Sequence, residues 1–144
     1  MPEKSKELAN LARIGKLKAE SSTPGEIKGL LTSGSERLAD ARNDNLALSS
    51  RFDLAYNAAH AFSLAALRWH GYRSDSRYLV FQALPHTLGL DASIWRVLAK
   101  AHEMRNVAEY EGHLDADAMM LRNLVEAAEA VRTAVMALSP LTES

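Results

Sequence analysis

From residue 49 to residue 72 the chain reads SSRFDLAYNAAHAFSLAALRWHGY, and this stretch sets the fold class. Ala55, Ala58, Ala59, Phe62, Ala65, Ala66 and Trp69 recur at three- and four-residue steps, the period of an amphipathic helix. The small alanines let a neighbouring helix approach closely, as a helical bundle requires. Ser50 and Asp53 read as a capping box at its start, and Gly71 reads as its stop.

The same logic runs along the rest of the chain. Glycine and proline are few, and no alternating strand pattern persists, so the expected fold is all-α. Residues 3–19 predict a short amphipathic helix. In SSTPGEIKGLL, Thr23 caps, Pro24 takes the first helical position and Glu26 completes a capping box. Gly25, Gly29 and Gly34 weaken that helix, which predicts a break near TSGSE and a restart on Ser33 or Ser35. RYLVF has strand propensity without a ladder partner, so it is read as a short helix ended by Pro85. Asp91 or Ser93 caps a helix over 92–111 that stops at Gly112, and Asp115 opens the last one. There, Met120, Leu124, Ala127, Ala128, Val131 and Val135 form one stripe. The expectation is an antiparallel bundle of five to six helices. Residues 1–47 supply N-terminal helices packing on or flanking it, 48–138 the bundle, and 139–144 a flexible tail.

Composition narrows the function classes. Apolar residues make up 47% and charged residues 24% of the chain, which is ordinary for a soluble domain and argues against disorder. With no cysteine, disulfides, thiol nucleophiles and Cys-type metal sites are excluded. No apolar run suggests a signal peptide or a membrane span, so a cytoplasmic, bacterial-type protein without a membrane partner is expected. The net charge of −1 argues against gripping duplex nucleic acid over a wide surface. Residues 51–105, however, carry seven Lys/Arg against four Asp/Glu and four of the five histidines, whereas residues 106–144 carry two against seven. A basic middle beside an acidic end can form a local anion site.

The polar residues gather on one flank of the helix predicted over 92–111. Stepping ~100° per residue from Arg105, Glu109, His102, Asn106 and Tyr110 follow within about 140°. Val97, Ala101, Met104 and Ala108 form the core stripe beside them. Trp95 and Leu98 share the polar flank, so it is neither plain core nor plain solvent. His113 joins it if the helix survives Gly112. Singly, these residues have ordinary explanations: Arg105 and Glu109 can pair across one turn, His102 can cap a carbonyl, and Tyr110 can sit at the core rim. His60, on the alanine-rich helix with Tyr56 and Asn57, is placed to face this strip across the bundle. The histidines lack a ligand spacing, no elbow supports His60 and Ser63 as a nucleophile pair, and no glycine-rich phosphate loop is present. No metal and no cofactor are expected.

RFDLAYNAAHAFSLAALR, followed about forty residues later by AHEMRNVAEYEG and an alanine- and glutamate-rich helix, resembles the HEPN superfamily over residues 48–138. The resemblance implies a helical bundle, commonly homodimeric and associated with nucleotides or with RNA cleavage in toxin–antitoxin and defence systems. RNA, a nucleotide or a cognate antitoxin are then the expected partners. The family's arginine–asparagine pair matches Arg105 and Asn106. In ribonuclease members a histidine follows after four to six residues; here Tyr110 stands at the shortest spacing and His113 comes after seven. The implied catalytic set is Arg105, Asn106, Tyr110 and His113, with His102, Glu109, Trp95 and His60 as binding residues. Any enzymatic activity would be that of a metal-independent endoribonuclease. Such cleavage needs a group titrating near neutrality and a cation for the developing charge. Histidine and arginine supply these, whereas tyrosine titrates near pH ~10. The expectation therefore leans toward binding without robust turnover. The alternative is a non-catalytic homodimerisation or partner-binding module.

Overall fold

A computed structural model describes residues 5–141. Helix α3 (Leu48–Trp69) is the axis of an all-α bundle. It is buried on nearly every side, from Phe52 to Arg68. Helices α2 (Pro24–Ala41) and α7 (Ala118–Met136) lie along it most extensively. Helices α4 (Arg77–Gln82) and α6 (Ala92–Glu111) pack on its remaining side. α1 (Lys6–Arg13) and the single turn α5 (Leu84–Thr87) complete the seven helices among the described residues. The main core joins Leu38, Phe52, Tyr56, Phe62, Phe81, Leu98, Leu124 and Val131. A smaller one places Leu8 and Leu17 against Leu67, Val80 and Ala83. No helix among the described residues is long and apolar enough to cross a membrane.

Several expectations hold to the residue. Thr23 Oγ1 accepts from Glu26 N–H, with Pro24 at the helix start. α6 runs from Asp91, whose carboxylate accepts from Ser93 N–H, to Gly112 at φ +81°. Gly71 likewise takes φ +84° just past α3. The stripe of α7 is buried except for exposed Met120.

Others are corrected. α2 does not break near residue 34. Gly34 is where α2 meets α3, and a Cβ there would lie 2.7 Å from Phe62 Cε1; the glycine permits close helix contact, and packing outweighs its poor propensity. α3 begins at Leu48 behind Ala47 with no side-chain cap, so the Ser50–Asp53 box does not form. Asp53 is occupied elsewhere. Pro85 does not end α4 but sits in the first turn of α5, where its missing N–H costs nothing. The last helix is capped two residues later than expected, by Asp117 on Met120 N–H. The first helix ends at Arg13 rather than 19, and the beginning of the range expected for it, 3–4, lies outside the described residues.

Instead, Lys18–Ala19 (β1) pairs antiparallel with Tyr72–Arg73 (β2), Lys18 opposite Arg73. This ribbon is fastened by Arg68, which is 4% exposed. Its guanidinium donates to both oxygens of Glu26, at 2.8 and 3.1 Å, and to the carbonyls of Glu20, Ser21 and Tyr72. At the other end, Trp69 Nε1 donates to Ser139 O at 2.7 Å, holding the chain that leaves α7; residues 142–144 of the expected flexible tail lie outside the described residues.

Candidate functional site

The first turns of α3 carry Asp53, Tyr56, Asn57 and His60 at three- and four-residue steps, a polar stripe on an otherwise alanine-rich helix. At this point α4 and α6 meet α3. Arg105 Nε of α6 donates to Asp53 Oδ1 at 2.7 Å. Its guanidinium lies 4.5 Å from the centre of the Tyr56 ring, and that of Arg77, from α4, lies 5.5 Å from the same ring. Such stacking suits arginine, whose planar cation is weakly hydrated. Tyr56 is fully buried, and its hydroxyl shares a 2.8 Å hydrogen bond with His102 Nδ1. A hydroxyl both donates and accepts, so the imidazole is held in either protonation state. His102 Nε2 faces Asn106 Nδ2 at 3.3 Å, on the exposed side.

The charges do not cancel locally. Asp53 is shared between Arg105 and Asn57, whose Nδ2 donates to Asp53 Oδ2 at 3.2 Å. Arg77 Nη1 donates to the neutral Asn57 Oδ1 at 2.9 Å and has no carboxylate partner among the described residues. Two guanidinium groups thus face one carboxylate. Both histidines respond to this. Burial, then Arg77 and His102, push His60 down to about 4. Burial, then Arg77 and Arg105, lower His102 below its ordinary value. At neutral pH both rings are uncharged, and His102 is available to take a proton.

The structure brings together Arg105, His102 and Asn106, as the flank of α6 suggested. His60 reaches the cluster from α3, half-buried with its ring edge on Phe81 at 5.9 Å. Trp95 joins through Tyr78, whose ring is 6.3 Å from Trp95 and 6.4 Å from His102. The remaining residues lie elsewhere. Tyr110 is 96% exposed and touches none of this network. Glu109 does not pair with Arg105, which has Asp53 instead. His113 and Glu109 line a shallow depression with Arg105, Asp53 and Ser49. His102 caps no carbonyl; it bonds Tyr56. Sequence reasoning missed Asp53, Tyr56, Asn57, Arg77 and Tyr78 as site residues. The polar stripe on α3 was the signal for the first three; Arg77 and Tyr78 gave none. No group of three or more His, Asp or Glu side chains among the described residues is placed to hold a metal ion.

Compared with family models, with curated proteins and with solved structures, the chain matches none. The chain is an all-α bundle with a half-open, net cationic cluster where α3, α4 and α6 meet.

Proposed function

We propose that this is an RNA-associated protein of the HEPN type, a component of a toxin–antitoxin or defence system, in which Arg77 and Arg105 hold a phosphodiester. The observation that carries this reading is the pair of guanidinium groups beside one buried tyrosine, with a single carboxylate, that of Asp53 on Arg105, to balance them. A fork of N–H donors with uncompensated charge matches phosphate oxygens. His102 supplies an imidazole beside the cations, kept in its proton-accepting form by burial and by Arg77 and Arg105. It takes the role that the resemblance assigned to Tyr110 or His113. In this reading a 2′-hydroxyl loses its proton to His102 as it attacks the adjacent phosphate, and Arg105 holds the developing charge. The P–O5′ bond breaks, leaving a 2′,3′-cyclic phosphate; the departing 5′-oxygen takes a proton from water, and protonated His102 returns its own to solvent.

The test is fluorescence anisotropy with a 12-nucleotide single-stranded RNA across a salt series. The native protein binds in a salt-dependent manner. Arg77→Ala and Arg105→Ala each weaken binding about tenfold and flatten the salt slope by roughly 0.7, the value for one phosphate contact on a single strand. Salt-independent binding, or arginine variants that bind like the native protein, would contradict the reading. In a chelator-containing cleavage assay, any turnover falls far more in His102→Ala than binding of the same RNA does.

A second reading, a homodimerisation module, is favoured by Val107 and Tyr110. They stand three residues apart on one face of α6 and are both exposed, so a second copy can cover them together. Light scattering on the eluting protein then shows a dimer at micromolar concentration, and Tyr110→Asp shifts it to monomer. A native monomer removes this reading and leaves the first intact.

A further inference from the structure

Helix α4 is anchored by buried Val80 and Phe81, which leaves Tyr78 on its outer side, 43% exposed. Ser76 caps the helix through Leu79 N–H, fixing the turn that carries the ring. Trp95 meets Tyr78 edge-on at 87° and His102 lies tilted at 49°, so the ring is braced from two sides. Between it and the outer face of α6 runs an open groove lined by Arg96, Lys100, Glu103, His102 and Asn106. The groove thus joins an accessible aromatic ring to two cations, one carboxylate and two hydrogen-bonding side chains. Arg77 precedes Tyr78 in the chain, and Arg105 lies one turn beyond His102.

Resting on the reading above, we propose that this groove selects single-stranded RNA by stacking an unpaired base on Tyr78 while the neighbouring cations track the backbone. An aromatic ring beside a cationic groove is the minimum for sequence-tolerant strand binding, because every base has a π-face. Bases inside a duplex are stacked on each other and cannot reach the ring. His102 and Asn106, on the groove side next to Arg105, provide hydrogen-bond partners where the sugar would lie.

The experiment compares three ligands by anisotropy: a 12-nucleotide oligoadenylate, a ribose-phosphate 12-mer lacking bases, and the oligoadenylate annealed to its complement. The native protein binds the single strand roughly tenfold to a hundredfold more tightly than the baseless strand, the range for one stacked base, and more tightly than the duplex. Tyr78→Ala removes that margin, and Tyr78→Phe keeps it. Because Tyr78 is half-exposed, neither change removes core packing, and the native protein's preference among ligands is a readout that needs no variant. Equal affinity for base-bearing and baseless strands, or a margin that survives Tyr78→Ala, overturns the stacking proposal and leaves the phosphate site standing. Absence of salt-dependent binding to any of the three overturns both.

Discussion

Replacing Arg68 by alanine lowers the unfolding free energy by about 3 kcal/mol, the lower end of the range for breaking a buried ion pair. Arg68 is 4% exposed, but Glu26 remains 41% exposed, so water relieves the stranded carboxylate in part and keeps the loss from the top of that range. The larger share comes from the carbonyls of Glu20, Ser21 and Tyr72, which lose their shared donor. Ser22 Oγ donates in turn to Arg68 O, so the segment from β1 to α2 is fastened to the end of α3 through this one residue. Arg68→Lys rescues little, because a point charge cannot serve two carboxylate oxygens and three carbonyls at once. Thermal unfolding followed by circular dichroism should show a drop in midpoint of about 10 °C for Arg68→Ala. A shift of only a degree or two would mean that the network contributes no more than an exposed pair. The carboxylate end adds an acid limit. The Arg68 guanidinium holds Glu26 below its ordinary value, so its contribution is complete above the unfolded value near 4.5 and is lost as pH falls through the lower, folded one.

The parts of this fold that were legible in the sequence are those whose cause is local. Asp91 and Gly112 bound α6 because a cap and a left-handed stop act within one turn. Thr23 and Pro24 open α2 for the same reason. The errors arise where a distant residue decides. Gly34 reads as a breaker until Phe62 is placed against it. Asp53 reads as a cap until Arg105 claims its carboxylate. The two-residue strands have no periodicity to detect, and their pairing depends on Arg68 bridging segments about fifty residues apart. In the site, the helical wheel gathered Arg105, His102 and Asn106 on one flank of α6 but set the core face off to one side. Leu98, placed on that flank, is fully buried, whereas Val97, Met104 and Ala108 of the expected core stripe are only half-buried. Nor could the wheel say which end of the flank was covered. α3 and α4 cover His102 and Arg105, whereas Tyr110 lies one turn beyond their reach and faces water. Arg77 and Tyr78 sit on a six-residue helix, too short for its faces to be told apart by pattern.

The cluster at the junction of α3, α4 and α6 makes stability fall sharply with acid well before the carboxylates titrate. His60 has its value pushed down to about 4 by burial and by Arg77 and His102. In the unfolded chain it titrates near its ordinary 6.5. Between those values the unfolded state binds a proton that the folded state refuses. The contribution is therefore complete above pH 6.5 and is lost as pH falls through about 4, by roughly 3 kcal/mol at the low end. His102 is shifted in the same direction and deepens the loss over an overlapping window. Glu26 acts only below about 4.5, so the two effects separate on the pH axis. Urea unfolding at pH 7 and at pH 5 measures the histidine contribution alone. The native protein loses stability over that step, and His60→Leu, which keeps an apolar group against Phe81 and cannot charge, loses markedly less. Equal losses in the two proteins would mean that His60 is solvated and that the cations around Tyr56 do not crowd it. The crowding and the proposed function have one origin. Burial first, and then the guanidinium groups of this cluster, keep the nearby histidines neutral in the folded protein. A phosphate between the two guanidinium groups relieves that repulsion. Bound RNA should then raise the pH at which His60 and His102 gain their protons, visible as a shift of their ring-proton resonances. Resonances unmoved by saturating RNA would place the strand away from Tyr56.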